Sequence, residues 1–144
     1  MTVTDFKLKS NTVATLVEVA ALDRIARYET PLHVTPGVHK FFHDISRNYS
    51  GQQRAWLDNV DVALKNPRAR AWILSDVYWN AILRNTISLT ALQGSSKTNV
   101  IPAEATAELD VRLLPDQDPA GMLATLKRVA ADTAVHFTTL LEPK

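Results

Sequence analysis

The sequence predicts an α+β domain of the order βαββαβ, interrupted after its first helix by an aromatic-rich helical insertion. Three observations predict it. Residues 105–113 alternate apolar and polar without a fault; residues 13–28 and 119–132 carry apolar side chains at helical spacing; and Trp56, Trp72, Trp79, Tyr49, Tyr78, Phe41 and Phe42 all fall between Pro36 and Arg84.

Each element follows from local chemistry. Thr4 to Lys9 alternates Phe6 and Leu8 with Lys7 and Lys9, which predicts a short edge strand. Ser10, Asn11 and Thr12 are all suited to cap a helix, and Val13 to Tyr28 contains no Gly or Pro, so a helix of about four turns is expected before Pro31. Its apolar residues Val13, Leu16, Val17, Ala20, Leu22 and Ile25 spread around the axis, so it meets more than one surface. The insertion, about residues 36–84, reads as three helical pieces, Pro36–Arg47, Gln52–Leu64 and Pro67–Leu83, broken at Gly51 and at Asn66-Pro67. Its aromatics are expected to build a satellite core.

From Thr86 the period becomes two. Ile87, Leu89 and Ala91 alternate with Thr86, Ser88 and Thr90, predicting a strand with one buried face, and Gln93 to Ser96 turns the chain. In the next strand Ala105, Ala107, Leu109, Val111 and Leu113 point one way, while Thr106, Glu108, Asp110 and Arg112 point the other. Pro115, Asp116, Asp118 and Pro119 open a helix carrying Met122, Leu123, Leu126, Val129 and Ala130, and Ala134 to Leu141 forms the last strand before Pro143. Without its insertion this is a ferredoxin-like arrangement: an antiparallel sheet with both helices on one face and the other face open.

Composition narrows the function. A chain of 144 residues with 46% hydrophobic and 22% charged residues is expected to form a single globular domain, 1–144. Sixteen Lys and Arg against fifteen Asp and Glu give a net charge of +1, too even a balance to attract nucleic acid or an anionic membrane. The absence of cysteine excludes disulfide scaffolds, Cys-ligated metal centres and thiol nucleophiles. Asp5, Lys7, Lys9 and Glu18 interrupt the first twenty residues, so no signal peptide is read and a soluble cytoplasmic protein is expected.

Residues 85–119 carry a resemblance. Asn85 to Thr90, Gly94 to Pro102 with Thr98-Asn99-Val100-Ile101-Pro102, and Ala105 to Leu113 running into Asp110-Val111-Arg112-Leu113-Leu114-Pro115 resemble the lid domain of M20-type metallopeptidases, also called the peptidase dimerisation domain. The helix from Asn11 to Ala26 resembles the first lid helix, and the insertion resembles a helical elaboration of carboxypeptidase-like members. The resemblance implies a domain that dimerises through sheet-edge or helix contacts and closes over substrate, while a separate catalytic domain holds two zinc ions and the general base. It also implies that Asn99 and Arg112 bind the substrate carboxylate and steady the developing oxyanion. By their own chemistry Arg112 offers a planar fork of donors above an open sheet face, and Asn99 an amide donor. Equally, Arg112 can pair with Asp110 or Glu108, and Asn99 can simply turn the chain.

The departures from the family bear on activity. Residues 1–10 contain neither Gly nor His, where the family's first lid strand carries a Gly-His pair reaching across the dimer, and no His-x-Asp or Glu-Glu pair occurs. The chain is therefore expected to be non-catalytic alone, with no cofactor of its own and zinc confined to a catalytic domain outside it. His39 and His43 stand four apart on a predicted helix beside Asp44, a spacing that can hold one zinc, but the Glu of a His-Glu-x-x-His site is missing. His33 lies in a loop and His136 on a strand face turned away from the core; Ser95 and Ser96 beside Gly94 lack the Gly-Lys-Ser/Thr of a phosphate loop; Asn48-Tyr49-Ser50 fits a glycosylation sequon with no secretory signal. The expected partners are a second copy, a catalytic domain in trans and a carboxylated small molecule. The alternative is a stand-alone ligand-binding or regulatory module of the same fold, holding a carboxylated metabolite at Arg112 and Asn99.

Overall fold

The computed structural model describes residues 2–10 and 14–141, in two compact units: residues 2–10 and 14–29 with 86–141, and residues 30–85. The expected caps Asn11 and Thr12, the apolar Val13, and Pro143 lie outside the described residues.

The first unit holds a four-stranded antiparallel sheet of order β2-β3-β1-β4, formed by β1 (Thr2–Ser10), β2 (Thr86–Gln93), β3 (Ala105–Leu113) and β4 (Val135–Leu141). Helices α1 (Ala14–Arg27) and α7 (Pro119–Ala130) supply the covering layer. The alternation of β3 has its expected result: Ala105, Ala107, Leu109, Val111 and Leu113 are all buried. Opposite them in register lie Phe6 against Leu109 and Leu8 against Ala107, and Ala21, Ile25, Met122, Leu126 and Ala130 close this core from the helices. β1 is not the edge strand expected from its pattern. It pairs with β3 on one side and β4 on the other, because the core needs the buried Phe6 and Leu8 between the two.

α7 ends on identifiable chemistry at both termini. The Asp118 carboxylate accepts hydrogen bonds from Ala120 N at 3.2 Å and Gly121 N at 2.9 Å, with Pro119 in the first helical turn. At the far end of α7, Ala131 takes a left-handed conformation with φ 50°, and the Arg24 Nε–H of α1 donates to Ala130 O at 2.7 Å.

The second unit is all helical, with α2 (Pro36–Ser46), α3 (Gly51–Asp58), α4 (Val60–Ala63), α5 (Pro67–Ser75) and α6 (Val77–Ile82). Five helices stand where three were expected, and the extra breaks fall at Asn59 and Asp76. Each of these side chains caps a new helix: Asn59 Oδ1 accepts from Val62 N at 3.4 Å, and Asp76 Oδ1 from Tyr78 N at 2.9 Å and Trp79 N at 3.0 Å. Short polar side chains compete for backbone donors in this way and restart a helix that apolar spacing alone would continue. Gly51, expected only as a break, is itself the first residue of α3 and takes φ 55°.

The satellite core forms as expected around the buried Phe42, Leu57, Val60, Ile73 and Leu83. Trp72 is its hub, with ring centroids 5.8 Å from Tyr49, 5.8 Å from Trp56 and 5.5 Å from Trp79. Tyr78 stays outside it, 82% exposed on α6.

Replacing Ala131 by Gly removes the penalty of a β-carbon in the left-handed region without touching a packed side chain. Chemical denaturation of Ala131→Gly is expected to give a gain of about 1 kcal/mol at unchanged denaturant sensitivity.

Candidate functional site

β3 carries Arg112 near its C-terminal end, opposite Val3 of β1 and Thr86 of β2. Its even-numbered neighbours face away from the core, so the side chain rises over the open face and is 57% exposed. The Nε–H donates to Asp110 Oδ1 at 3.2 Å, so the ordinary pairing within the face is present. A guanidinium has five N–H donors, and the bond to Asp110 uses only the one on Nε. Arg112 can thus receive a carboxylate while Asp110 holds it in place. Asp110 also faces Asp5 across the β1–β3 pair, so Arg112 offsets the repulsion of two carboxylates.

Asn99 lies in a turn of the exposed connection between β2 and β3. Two bonds shape this connection: Ser95 Oγ donates to Lys97 O at 2.9 Å and accepts from Lys97 N at 3.1 Å. Its far end is tied to the sheet by an ion pair of 2.6 Å between Lys9 and Glu104. One copy of the chain does not bring Asn99 and Arg112 together. The connection enters β3 at Ala105, and seven residues of strand at ~3.4 Å each put Arg112 roughly 24 Å further on.

The sequence reading missed the uncovered apolar surface at the β2 edge. Of the face expected to be buried on β2, Ile87 packs partly against the core and Ala91 is half-buried, but Leu89 is 50% accessible, and Leu92, outside that expected face, is 54% accessible. The register slips between Leu89 and Ala91, which sets Leu92 opposite Ala107 and Leu89 opposite Leu109. Both leucines therefore share the core face of the sheet without burial. On α1, Leu16 at 70% and Val19 at 49% are also exposed, so the second apolar face expected for that helix has no cover in this copy. A β-carbon at Gly94, just after β2, would sit 3.9 Å from Thr15 Oγ1, so the start of α1 lies beside the end of β2. The spread of apolar residues around α1 was the signal that could have found this surface.

The histidines do not converge. His39 Nε2 lies 3.4 Å from Asp61 and His43 Nδ1 lies 2.9 Å from Asp58, each joining α2 to the next helices, while Asp44 pairs with Lys40 and its carboxyl is held below the usual range mainly by that hydrogen bond. His136 is exposed on β4, and His33 N donates to Leu83 O at 2.7 Å in the loop before α2. Among the described residues no three His, Asp or Glu side chains are grouped to hold a metal ion, so these residues do not fit a two-zinc centre. No described helix is long and apolar enough to cross a membrane.

One buried acid was not singled out by sequence. Glu18 is 1% exposed on the same stripe of α1 as Ala21 and Ile25, and neither carboxylate oxygen has a partner among the described residues. Burial raises its pKa from 4.5 to about 7.

Residues 14–138 match the peptidase dimerisation domain, and no catalytic domain is matched. Over 86 residues the chain is 39% identical to the human N-fatty-acyl-amino acid synthase/hydrolase PM20D1, an alignment covering 56% of this chain and 17% of that protein. The fold is similar to human carnosine dipeptidase 1, with a TM-score of 0.56 at 9% identity over 99% of this chain and 36% of that one. It is also similar to the dipeptidase Dug1p of Saccharomyces cerevisiae, with a TM-score of 0.53 at 8% identity over 96% and 34%. At such identities the two structural likenesses concern the fold. The chain spans about a sixth of the length of the human sequence relative and about a third of each solved structure.

The Glu18 environment predicts an inverted acid response. Between about pH 4.5 and about pH 7 the folded state keeps a proton that the unfolded chain releases, so stability falls as pH rises, by up to about 3 kcal/mol, and levels off above pH 7. Glu18→Met is expected to abolish this slope in thermal melts and to be more stable than the parent at pH 8, while the two converge near pH 4.

Proposed function

Because this chain belongs to the peptidase dimerisation domain family of M20 peptidases, matching it over residues 14–138, we propose that it acts as a non-catalytic lid that self-associates and helps hold a carboxylated substrate. The zinc chemistry belongs to a separate catalytic domain. The single observation that carries the reading is the uncovered apolar surface at the β2 edge, where Leu89 and Leu92 stand about half exposed, with Val19 on α1 exposed as well. Scattered exposed leucines need no explanation, but a set aligned along one sheet edge and the adjoining helix is the kind of surface a second copy covers. The slip near Thr90 divides the β2 edge into two short runs, so hydrogen bonding between copies is brief and the apolar side chains supply most of the buried area.

Two-fold pairing of β2 edges is antiparallel, so the Gln93 end of one copy lies beside the Thr86 end of the other. The turn bearing Asn99 in one copy and the strand end bearing Arg112 in the other then share one end of the joined sheet. This supports carboxylate recognition by a pair of residues that a single copy keeps apart. For substrate class, the likeness to an N-fatty-acyl-amino acid synthase/hydrolase favours N-acyl amino acids, whose free carboxylate suits the Arg112 guanidinium.

Light scattering at micromolar concentration is expected to give twice the chain mass for the parent. Leu89→Lys combined with Leu92→Lys, which places charge on residues already exposed, is expected to give a folded species of single chain mass. A parent that is monomeric throughout this range would refute self-association, and an unaltered dimer in the double variant would refute this surface.

A further inference from the structure

A cavity of about 320 Å³ lies within the sheet unit, between the start of α1 and the β2–β3 connection. Leu16, Val100, Ile101 and Pro102 form its apolar wall, and Thr15, Ser95, Lys97 and Thr98 are the polar residues on it. Neither the carboxylate pair nor the β2 leucines line it. Val100 is 49% and Ile101 77% exposed, so the connection displays its two large apolar residues rather than turning them into the core. The two Ser95 bonds shape the loop at Lys97, the cation on the cavity.

We infer that this cavity takes the acyl chain of an N-acyl amino acid, with the Lys97 ammonium drawing the anionic head to the cavity. The inference rests on the lid reading above for its substrate class, and on the cavity for its place. At about 30 Å³ per methylene, close to the share of one water in the liquid, the volume suits a chain of about ten carbons. The mixture of four apolar side chains with one cation fits an alkyl chain carrying a carboxylate. A second copy pressed onto the same wall would bury the lysine and leave its charge without an anion.

The test titrates the 144-residue chain with N-acetyl-, N-octanoyl- and N-dodecanoyl-glycine below their aggregation limits, using calorimetry, with dodecyl maltoside as a chain-matched neutral control and light scattering on the same samples. Affinity is expected to rise about three- to fourfold per methylene up to about ten carbons. Ile101→Ser and Leu16→Ser change exposed residues and so leave the fold intact; each is expected to weaken dodecanoyl binding by tenfold or more with no effect on the acetyl compound. Lys97→Ala is expected to weaken all acyl-glycines by a similar factor and to leave dodecyl maltoside unaffected. Binding independent of chain length, or equal binding of dodecyl maltoside, overturns the inference. Absent binding with a dimer that Ile101→Ser dissociates overturns it in favour of a second copy on this wall and leaves the lid reading standing. A monomer that binds with the expected chain-length dependence removes self-association and upholds the cavity.

Discussion

The sheet unit depends on one constraint: the antiparallel β1–β3 pair must keep its register. Phe6 lies opposite Leu109 and Leu8 opposite Ala107, all buried. A slip of one residue in β1 would turn Lys7 and Lys9 into the core and Phe6 and Leu8 out of it, and a slip in β3 would do the same with Glu108, Asp110 and Arg112 against Leu109 and Val111. Burying even one of those charges without a partner costs several kcal/mol, comparable to the net stability of a small domain. The same register lifts Arg112 and Asp110 to the open face, so the placement of a candidate ligand group is a by-product of core formation.

Covering that pair leaves apolar surface over. α1 lays Ala21 and Ile25 on the core and exposes Leu16 and Val19, while β2, at the edge of the sheet, keeps its leucines half in solvent. A chain selected only to fold alone would place polar side chains there, as it does on the outer face of β3. The buried Glu18 is a second departure from what stability alone would choose, since its carboxyl gains no hydrogen bond among the described residues. In the helical unit the Trp72 hub gathers Tyr49, Trp56 and Trp79 and the histidines answer nearby aspartates, while Val62, Val77 and Tyr78 stay exposed.

Most of the fold was legible in the sequence because strict alternation at residues 105–113 and helical spacing at residues 119–130 are dictated by burial, which leaves its mark on every second or every third and fourth residue. The satellite core was legible for a related reason: aromatics so concentrated in one stretch need cover. Less legible were elements defined by competition between neighbours. The breaks at Asn59 and Asp76 arise from side chains capping the backbone that follows, which apolar periodicity does not register. For Asn99 and Arg112, the residues carrying the family resemblance, a motif spacing of thirteen positions does not register that Asn99 lies in the connection before β3 and Arg112 near the far end of that strand.

By itself the sequence determined the βαββαβ order, the two apolar clusters and the orientation of β3 with Arg112 outward. Only the tertiary structure decided that β1 runs through the middle of the sheet, that β2 lies at its edge with Leu89 and Leu92 uncovered, and that Glu18 lies buried. The physical reason is that alternation tells a strand which face is apolar, whereas the depth of that face depends on how many neighbours the strand acquires, and neighbours are assigned by the whole chain at once.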